Sequence, residues 1–410
     1  MVKTESALPP DLARGVRRAW RSPAGRQLLT EAGLTPAKVT SLADFARIRV
    51  VRREDVVELQ RAYPDRAGFS SVPLNKMPWL GLHPGGELDP SYAGRRAPAL
   101  LADLFADMGM RAGDVVVDTF NYHLSSVAHA FDAAAHRLGA CVVPAGPGNS
   151  QLQLDMIERV GATVWLGFPS FLGKMLGEAP PEVAAALKLR LAICGGEYAP
   201  KIRTELRDRF GVHSRDFYGV SLVGPVAYEC ERGDGYHLRP EVHVELLVPG
   251  TAEPAPPGEV GEIVLTPTRN EYALLRLGTG DLSQWLDEEQ CGCGRLGPRL
   301  KGILGRIGAS VKVRGTFIHP RDVGQLALDV PHVVRCHVRV TRPSGSARDL
   351  IAVLVEAEPG LSAQARGDDM LERVAAAFAA RCRLRSDEVS FAGQPHEGPV
   401  IVDERDWEVS

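Results

Sequence analysis

No apolar run in the 410-residue chain approaches the length needed to cross a bilayer. Its first residues, which include Glu5 and Asp11 and no apolar centre, do not read as an export signal, so the expectation is a cytoplasmic protein without membrane attachment. A dominant charge is missing as well. The 48 Lys and Arg residues against 51 Asp and Glu leave a formal net charge of -3, which gives no global attraction for nucleic acid. Basic clusters such as Arg14 to Arg18 and Arg49 to Arg53 read as solvated helix faces. Seven cysteines, an odd number in a chain without export features, argue against a disulfide framework. Lysine is absent from Thr316 to Ser410, so no ammonium group from the last part of the chain can serve any chemistry.

The length exceeds what one hydrophobic core supports and predicts two or three domains. From Asp114 onward apolar strands alternate with helical segments: VVVDTF, a helix from Ser125 to Leu138, CVVPAG, a helix from Gln151 to Val160, then TVWLGF. That alternation predicts parallel βαβ units. The strand Leu189 to Cys194 opens through Gly195-Gly196-Glu197 onto a helix from Pro200 to Phe210. Such a turn lets a flat ligand approach the backbone where no Cβ stands in the way. A second strand, Asp216-Phe217-Tyr218-Gly219-Val220-Ser221, ends in an aromatic and a glycine. Further on, Val242 to Val248, a Pro/Gly-rich turn and Ile263 to Thr266 read as a β-hairpin-like subdomain. From Val333, two strands, a helix from Asp369 to Arg381 and a last strand read as a small α+β domain.

Cys230 and His237 flank a short acidic turn, and Cys291-Gly-Cys293 forms a tight knuckle. Three thiolates and one imidazole are the soft, tetrahedral set that suits Zn²⁺, and four protein ligands leave no open position, so the expected zinc is structural.

The glycine turn, the Asp216 to Ser221 strand, the turn Arg276 to Asp281, the pair Gly305-Arg306 and the ribbon Val311-Lys312-Val313-Arg314-Gly315 follow one another in an order and spacing that resemble the phenylacetate-CoA ligase family of the adenylate-forming superfamily. The similarity runs from about Arg49 to the end. The resemblance implies an α/β fold with a large N-terminal domain (1–303) of parallel βαβ units and a β-rich subdomain, a hinge linker (304–309) and a small mobile C-terminal α+β domain (310–410). It implies an acyl and nucleotide pocket formed by Tyr122, Phe168, Gly195, Gly196, Glu197, Asp216, Phe217, Tyr218, Gly219, Asp281 and Arg306, with Asp281 taking ribose hydroxyls. Lys312, Arg314 and Gly315 would line the tunnel for the pantetheine arm of coenzyme A. Relatives with the same Cys-x6-His and Cys-x-Cys pairing look zinc-bound, and a homodimer is suggested. From the residues alone, Asp281 also reads as a turn or capping acid, Phe168 as core, and His123 as a buried histidine with a backbone partner.

Three parts of the family's adenylating machinery are missing. The stretch His83 to Pro90 stands where the family carries a hydroxyl-rich, lysine-ended phosphate loop, and it has two carboxylates instead. Leu222 replaces the magnesium-holding glutamate, and Pro395 to Pro399 offers no lysine. Losing one electrostatic donor can cost about 2.7 to 4 kcal/mol of barrier lowering, so ATP and Mg²⁺ use is doubtful. The leading expectation is transfer of an aryl acyl group from an aryl-CoA to a carrier-protein pantetheine. Cys194, Ser125, Ser126 and Ser221 are the candidate nucleophiles and His123 the candidate base. A working ATP-dependent aryl-CoA ligase and a non-catalytic acyl-CoA-binding homologue are the alternatives.

Overall fold

The computed structural model describes residues 7–83, 86–90, 92, 94, 96–197, 199–286, 291–307, 311–314, 316–318, 320–343, 348–361, 367–393 and 398–405, excepting the side chains of residues 200, 201, 305, 312, 317, 320 and 321. The chain divides into two compact units, Met1–Ile307 and Gly308–Ser410. Among the described residues no helix is long and apolar enough to cross a membrane.

The first unit begins with helices Pro10–Ala19, Pro23–Glu31, Leu42–Ala46 and Arg53–Ala62, followed by a short hairpin, β1 (Gly81–Leu82) and β2 (Leu88–Asp89). Its main sheet is built from β3 (Val115–Asp118), β4 (Cys141–Pro144), β5 (Val164–Gly167), β6 (Leu191–Gly195), β7 (His213–Val220), β8 (Gly224–Glu229), β9 (Tyr236–Leu238) and β13 (Arg299–Leu300), in the order β13-β9-β8-β7-β6-β5-β3-β4. Pairing is parallel from β4 to β7 and antiparallel beyond. Every residue of β5 and β6 is buried, as expected where helices cover both faces of a parallel sheet.

Side-chain alternation sorts the strands into two cores. Val116, Leu166, Ile193 and Phe217 pack with Phe105 and Phe131 from helices Ala97–Asp107 and Val127–Arg137. Val117, Trp165, Ala192 and Cys194 face Leu154, Leu172 and Leu206 from helices Ser150–Val160, Pro169–Glu178 and Pro200–Phe210. The chain leaves β3 by a helix on one face and returns from β4 to β5 by a helix on the other. The resulting switch point lies between β3 and β5, whose carboxyl ends are the usual ligand position in such sheets.

A second sheet, β10 (Val242–Leu247), β11 (Gly261–Pro267), β12 (Leu277–Ser283) and β14 (Gly305–Arg306), packs against the N-terminal helices through Val16, Leu28, Phe45, Ile263 and Leu277. Arg276, wholly buried, fastens the two layers by binding Glu245 at 3.0 Å and the carbonyls of Ala46 and Ile48 at 2.6 and 2.5 Å.

The second unit holds a ribbon, β15 (Val311–Val313) with β16 (Thr316–Ile318), and a sheet in the order β19-β18-β17-β20, made of β17 (Val333–Thr341), β18 (Leu350–Ala357), β19 (Glu388–Phe391) and β20 (Ile401–Asp403). Val338, Val353, Val374 and Phe378 are in its core.

Candidate active site and metal centre

The strand ends next to the switch point gather aromatic rings. Phe120, two residues past β3, lies 5.7 Å from Phe168 and 6.3 Å from Phe217, and Phe131 lies 5.3 Å from Phe120. The Phe217 ring rests on Gly195, where a Cβ would stand 2.5 Å from it, so glycine is what allows the ring that position. Gly196 turns the chain with φ of +88°, and Glu197 reaches across to accept the Ser170 N–H at 2.6 Å. That bond satisfies an otherwise open donor at the start of helix Pro169–Glu178. Gly219 is exposed at the end of β7.

The candidate nucleophiles and base are not assembled. Cys194 is wholly buried on the helix-covered face, and burial with Asp216 beside it holds its thiol well above the ordinary range, so it behaves as a small core hydrophobe. His123 is exposed, contrary to the buried alternative, in a turn where Asn121 Oδ1 accepts its N–H at 2.9 Å. Ser125 Oγ accepts the Val127 N–H, Ser126 is buried with its hydroxyl near the Asp89 carbonyl, and Ser221 is half-buried in the turn between β7 and β8. Among the described residues no hydrogen bond links His123 to Cys194 or to any of these serines.

Asp216 belongs to an internal brace. It is 2% exposed, and its Oδ2 receives Arg203 and Tyr236, both at 3.3 Å. Arg203 also grips both oxygens of Glu229, at 3.0 and 2.5 Å, and Glu229 accepts the Asp216 N–H at 2.9 Å. Burial raises the Asp216 carboxyl, Arg203 opposes this, and the Glu229 charge adds to the rise. Sequence reasoning missed Arg203 and Glu229; the available signal was a lone acid closing the apolar strand β8.

Asp281 lies within β12, in no helix cap. Its Oδ2 accepts the Tyr218 hydroxyl at 2.7 Å and its Oδ1 pairs with Arg306 Nε at 2.7 Å. The phenol, the acid and the guanidinium thus form one hydrogen-bonded edge beside Gly219.

The loop joining β1 to β2 is tied down by its own acids. Glu87, wholly buried, pairs with Arg53, and His83 Nδ1 lies 3.3 Å from the same oxygen. Asp89 Oδ1 accepts the N–H of Leu222 at 3.2 Å. Leu222 sits in a left-handed conformation, φ +74°, with its side chain buried among Tyr218, Val223 and Val226.

In the second unit, Arg314 donates to the Asp349 carbonyl at 2.6 Å and pairs with Asp387. The Lys312 side chain, Gly315 and the stretch 394–397 lie outside the described residues.

Cys230, His237, Cys291 and Cys293 converge with all four ligand atoms within 4.8 Å of one another. Cys230 Sγ lies 3.7 Å from Cys291 Sγ, and Cys293 Sγ lies 3.5 Å from His237 Nε2. With Zn–S bonds of about 2.3 Å, neighbouring thiolates of a tetrahedron stand about 3.8 Å apart, so the donor set fits the ion. Burial, with the Cys291 and Cys293 sulfurs alongside, pushes the Cys230 thiol up to about 11. Thiolates form in that setting around a cation.

A family model described as AMP-binding enzyme matches residues 100–268. The chain is 31% identical over 357 residues to a phenylacetate-coenzyme A ligase of Thermus thermophilus, covering 83% of this chain and 78% of that one. It is 25% identical to the Escherichia coli phenylacetate-coenzyme A ligase over 76% and 72% of the two chains. A crystal structure of 2-hydroxyisobutyryl-CoA ligase with 2-HIB-AMP and CoA superposes with a TM-score of 0.83 over 97% of this chain and 88% of that one, at 23% identity, a likeness of fold. With the first of these identities sustained over more than three quarters of both chains, on a shared fold, the chain belongs to the phenylacetate-coenzyme A ligase family of adenylate-forming enzymes.

Proposed function

We propose that this acyl-CoA-ligase-fold enzyme binds an aromatic acyl-CoA against the rings of Phe120, Phe168 and Phe217 and passes the acyl group to a second thiol, such as the pantetheine of a carrier protein, with no acyl-adenylate on the way. The observation that carries this reading is Leu222. It stands where the resemblance expects a magnesium-holding acid, and its side chain is in the core, where it holds no hard cation. The neighbouring loop supports the same conclusion, because its buried acids are paired with Arg53 and with the Leu222 backbone. In the transfer, the incoming thiolate attacks the thioester carbonyl, its C–S bond forms as the bond to coenzyme A breaks, and coenzyme A leaves with the proton of the incoming thiol. One thioester replaces another, so no energy source is required. The buried, protonated Cys194 favours direct transfer over an acyl-enzyme on that residue. Zinc in the Cys230, His237, Cys291 and Cys293 set has a structural role.

A second reading, an ATP-dependent aryl-CoA ligase, draws on the retained edge of Tyr218, Asp281 and Arg306, which the resemblance assigns to the nucleotide pocket with Asp281 on the ribose, and on the phenylacetate-coenzyme A ligases among the relatives. Incubation with aryl-CoA, with and without holo carrier protein, followed by intact mass of both proteins, tests the first reading and is expected to show acyl gain on the carrier. Pyrophosphate release from ATP, Mg²⁺ and an aromatic acid at a sustained rate selects the second.

A further inference from the structure

We propose that the cavity between helix Ala97–Asp107, the starts of β8 and β10 and the end of β11 binds a small apolar amino acid, with Glu271 taking its ammonium group and Arg96 its carboxylate. This site is separate from the ring cluster of the acyl-thioester reading and does not depend on that reading. The cavity measures about 60 Å³. Where one water needs about 10 to 15 Å³, that is room for about four waters or one small organic molecule. Tyr92, Leu100, Leu101 and Leu104 give it an apolar wall, and Val223 borders it from the turn after β7. Apolar walls with a few convergent polar groups are the usual form of a small-molecule site.

Most of the charged groups around the cavity are already committed. Arg239 donates to Glu241 at 3.1 Å and to the Leu100 carbonyl at 2.7 Å. Arg269 pairs with Asp11 at 3.5 Å. Arg18, read from the sequence as part of a solvated face, is half-buried beside the cavity and donates to the Thr268 and Asn270 carbonyls at 3.3 and 3.2 Å. Two groups are left over. Glu271 lines the cavity, and its Oε2 is buried with no hydrogen-bond partner among the described residues. That oxygen lies against Gly94, where a Cβ would stand 2.4 Å from it. Arg96 lines the same cavity and is exposed, so its guanidinium is open to a ligand at the rim.

A buried carboxylate oxygen without a donor is costly and rare, which points to a ligand that supplies one. A plain amine would meet Glu271 but enter the field of Arg18 and Arg96, whose charges already repel one another. A plain acid would suit Arg96 and leave Glu271 unmet. A ligand with both signs on one carbon satisfies both groups, because an ammonium only donates, a carboxylate only accepts, and guanidinium pairs well with carboxylate. Its hydrocarbon side chain then has the leucine wall to cover.

The test titrates the full chain by calorimetry with L-valine and L-leucine, with the matching amines, isobutylamine and isoamylamine, and with the matching acids, isovalerate and isocaproate. One of the two amino acids is expected to bind at least about tenfold tighter than its own amine and its own acid. In Glu271→Gln, which keeps the shape and removes the charge, and in Arg96→Ala, at an exposed position that folding does not need, that preference is expected to disappear. Absence of binding by both amino acids, an amine or acid that binds as tightly as its amino acid, or a preference that survives either substitution overturns the site.

Discussion

At the residue scale, the consequence of a buried acid is a pH slope. Asp118, raised by burial to about 8 with Asp132 adding to the rise, keeps a proton in the folded chain that it loses in the unfolded chain above about pH 4. The folded state then binds more protons than the unfolded one, so stability falls as pH rises from about 4 to about 8 and levels off beyond. Asp216 is raised as well and contributes with the same sign. Asp118→Asn is therefore expected to melt higher than the native chain at pH 8, with the gap closing toward pH 4; equal melting curves at both ends would refute the assignment. Gly195 is constrained by space. A Cβ there meets Phe217 ring atoms at 2.5 to 3.0 Å, and a ring wedged between Phe131 and Phe120 has little room to yield. Gly195→Ala is expected to cost about 1 to 3 kcal/mol in denaturant unfolding and to weaken aryl-CoA binding. Unchanged stability would show that the ring moves freely.

At the scale of elements, an ion held by Cys230, His237, Cys291 and Cys293 would staple β8, β9 and the knuckle preceding β13. Cys230 follows β8, His237 lies in β9, and these strands otherwise pair through short registers such as Arg299 with His237 and Leu300 with Tyr236. Two-residue strands are marginal alone, so the ion is expected to hold this edge. Elemental analysis should find one zinc per chain. Chelation, or Cys291→Ser, should cost about 2 kcal/mol or more, read as about 3 °C or more in melting temperature for a unit of this size. Cys141→Ser, at an exposed cysteine outside the set, should change neither quantity; a zinc-free chain melting at the native temperature would remove the centre. That these four side chains gather was legible in the sequence because the spacing is local within each pair. The parallel strands were legible through their alternation with helices, and the Gly195-Gly196-Glu197 turn through its glycines. What the sequence did not disclose depends on which face a strand presents. Cys194 sits at an attractive turn, yet alternation with Ala192 directs its thiol under the helices. The grip of Arg203 on Glu229 joins residues 26 apart, and nothing local announces it. His123 was open to either burial state until the turn with Asn121 was seen.

At the scale of the whole molecule, the issue is whether a ligase fold can lose one half-reaction and keep the other. On the proposed reading, the features retained are those that would receive a flat acyl group and a nucleotide: the ring-lined strand ends and the Tyr218, Asp281 and Arg306 edge. The features altered are spread over separate segments, the β1 to β2 loop, the turn after β7 and the lysine-free stretch from Thr316. Because the changes are distributed, no single reversion should restore adenylation. Leu222→Glu is the sharpest case. The position is buried, the backbone is left-handed, and its N–H is bound to Asp89, so a glutamate there would leave a charge in the core and cost several kcal/mol. The expected result is a lower melting temperature with pyrophosphate release from ATP, Mg²⁺ and aromatic acids no greater than in the native chain. A rise of about tenfold or more, about 1.4 kcal/mol of barrier, would mean that the nucleotide site is otherwise complete and that one side chain had silenced it.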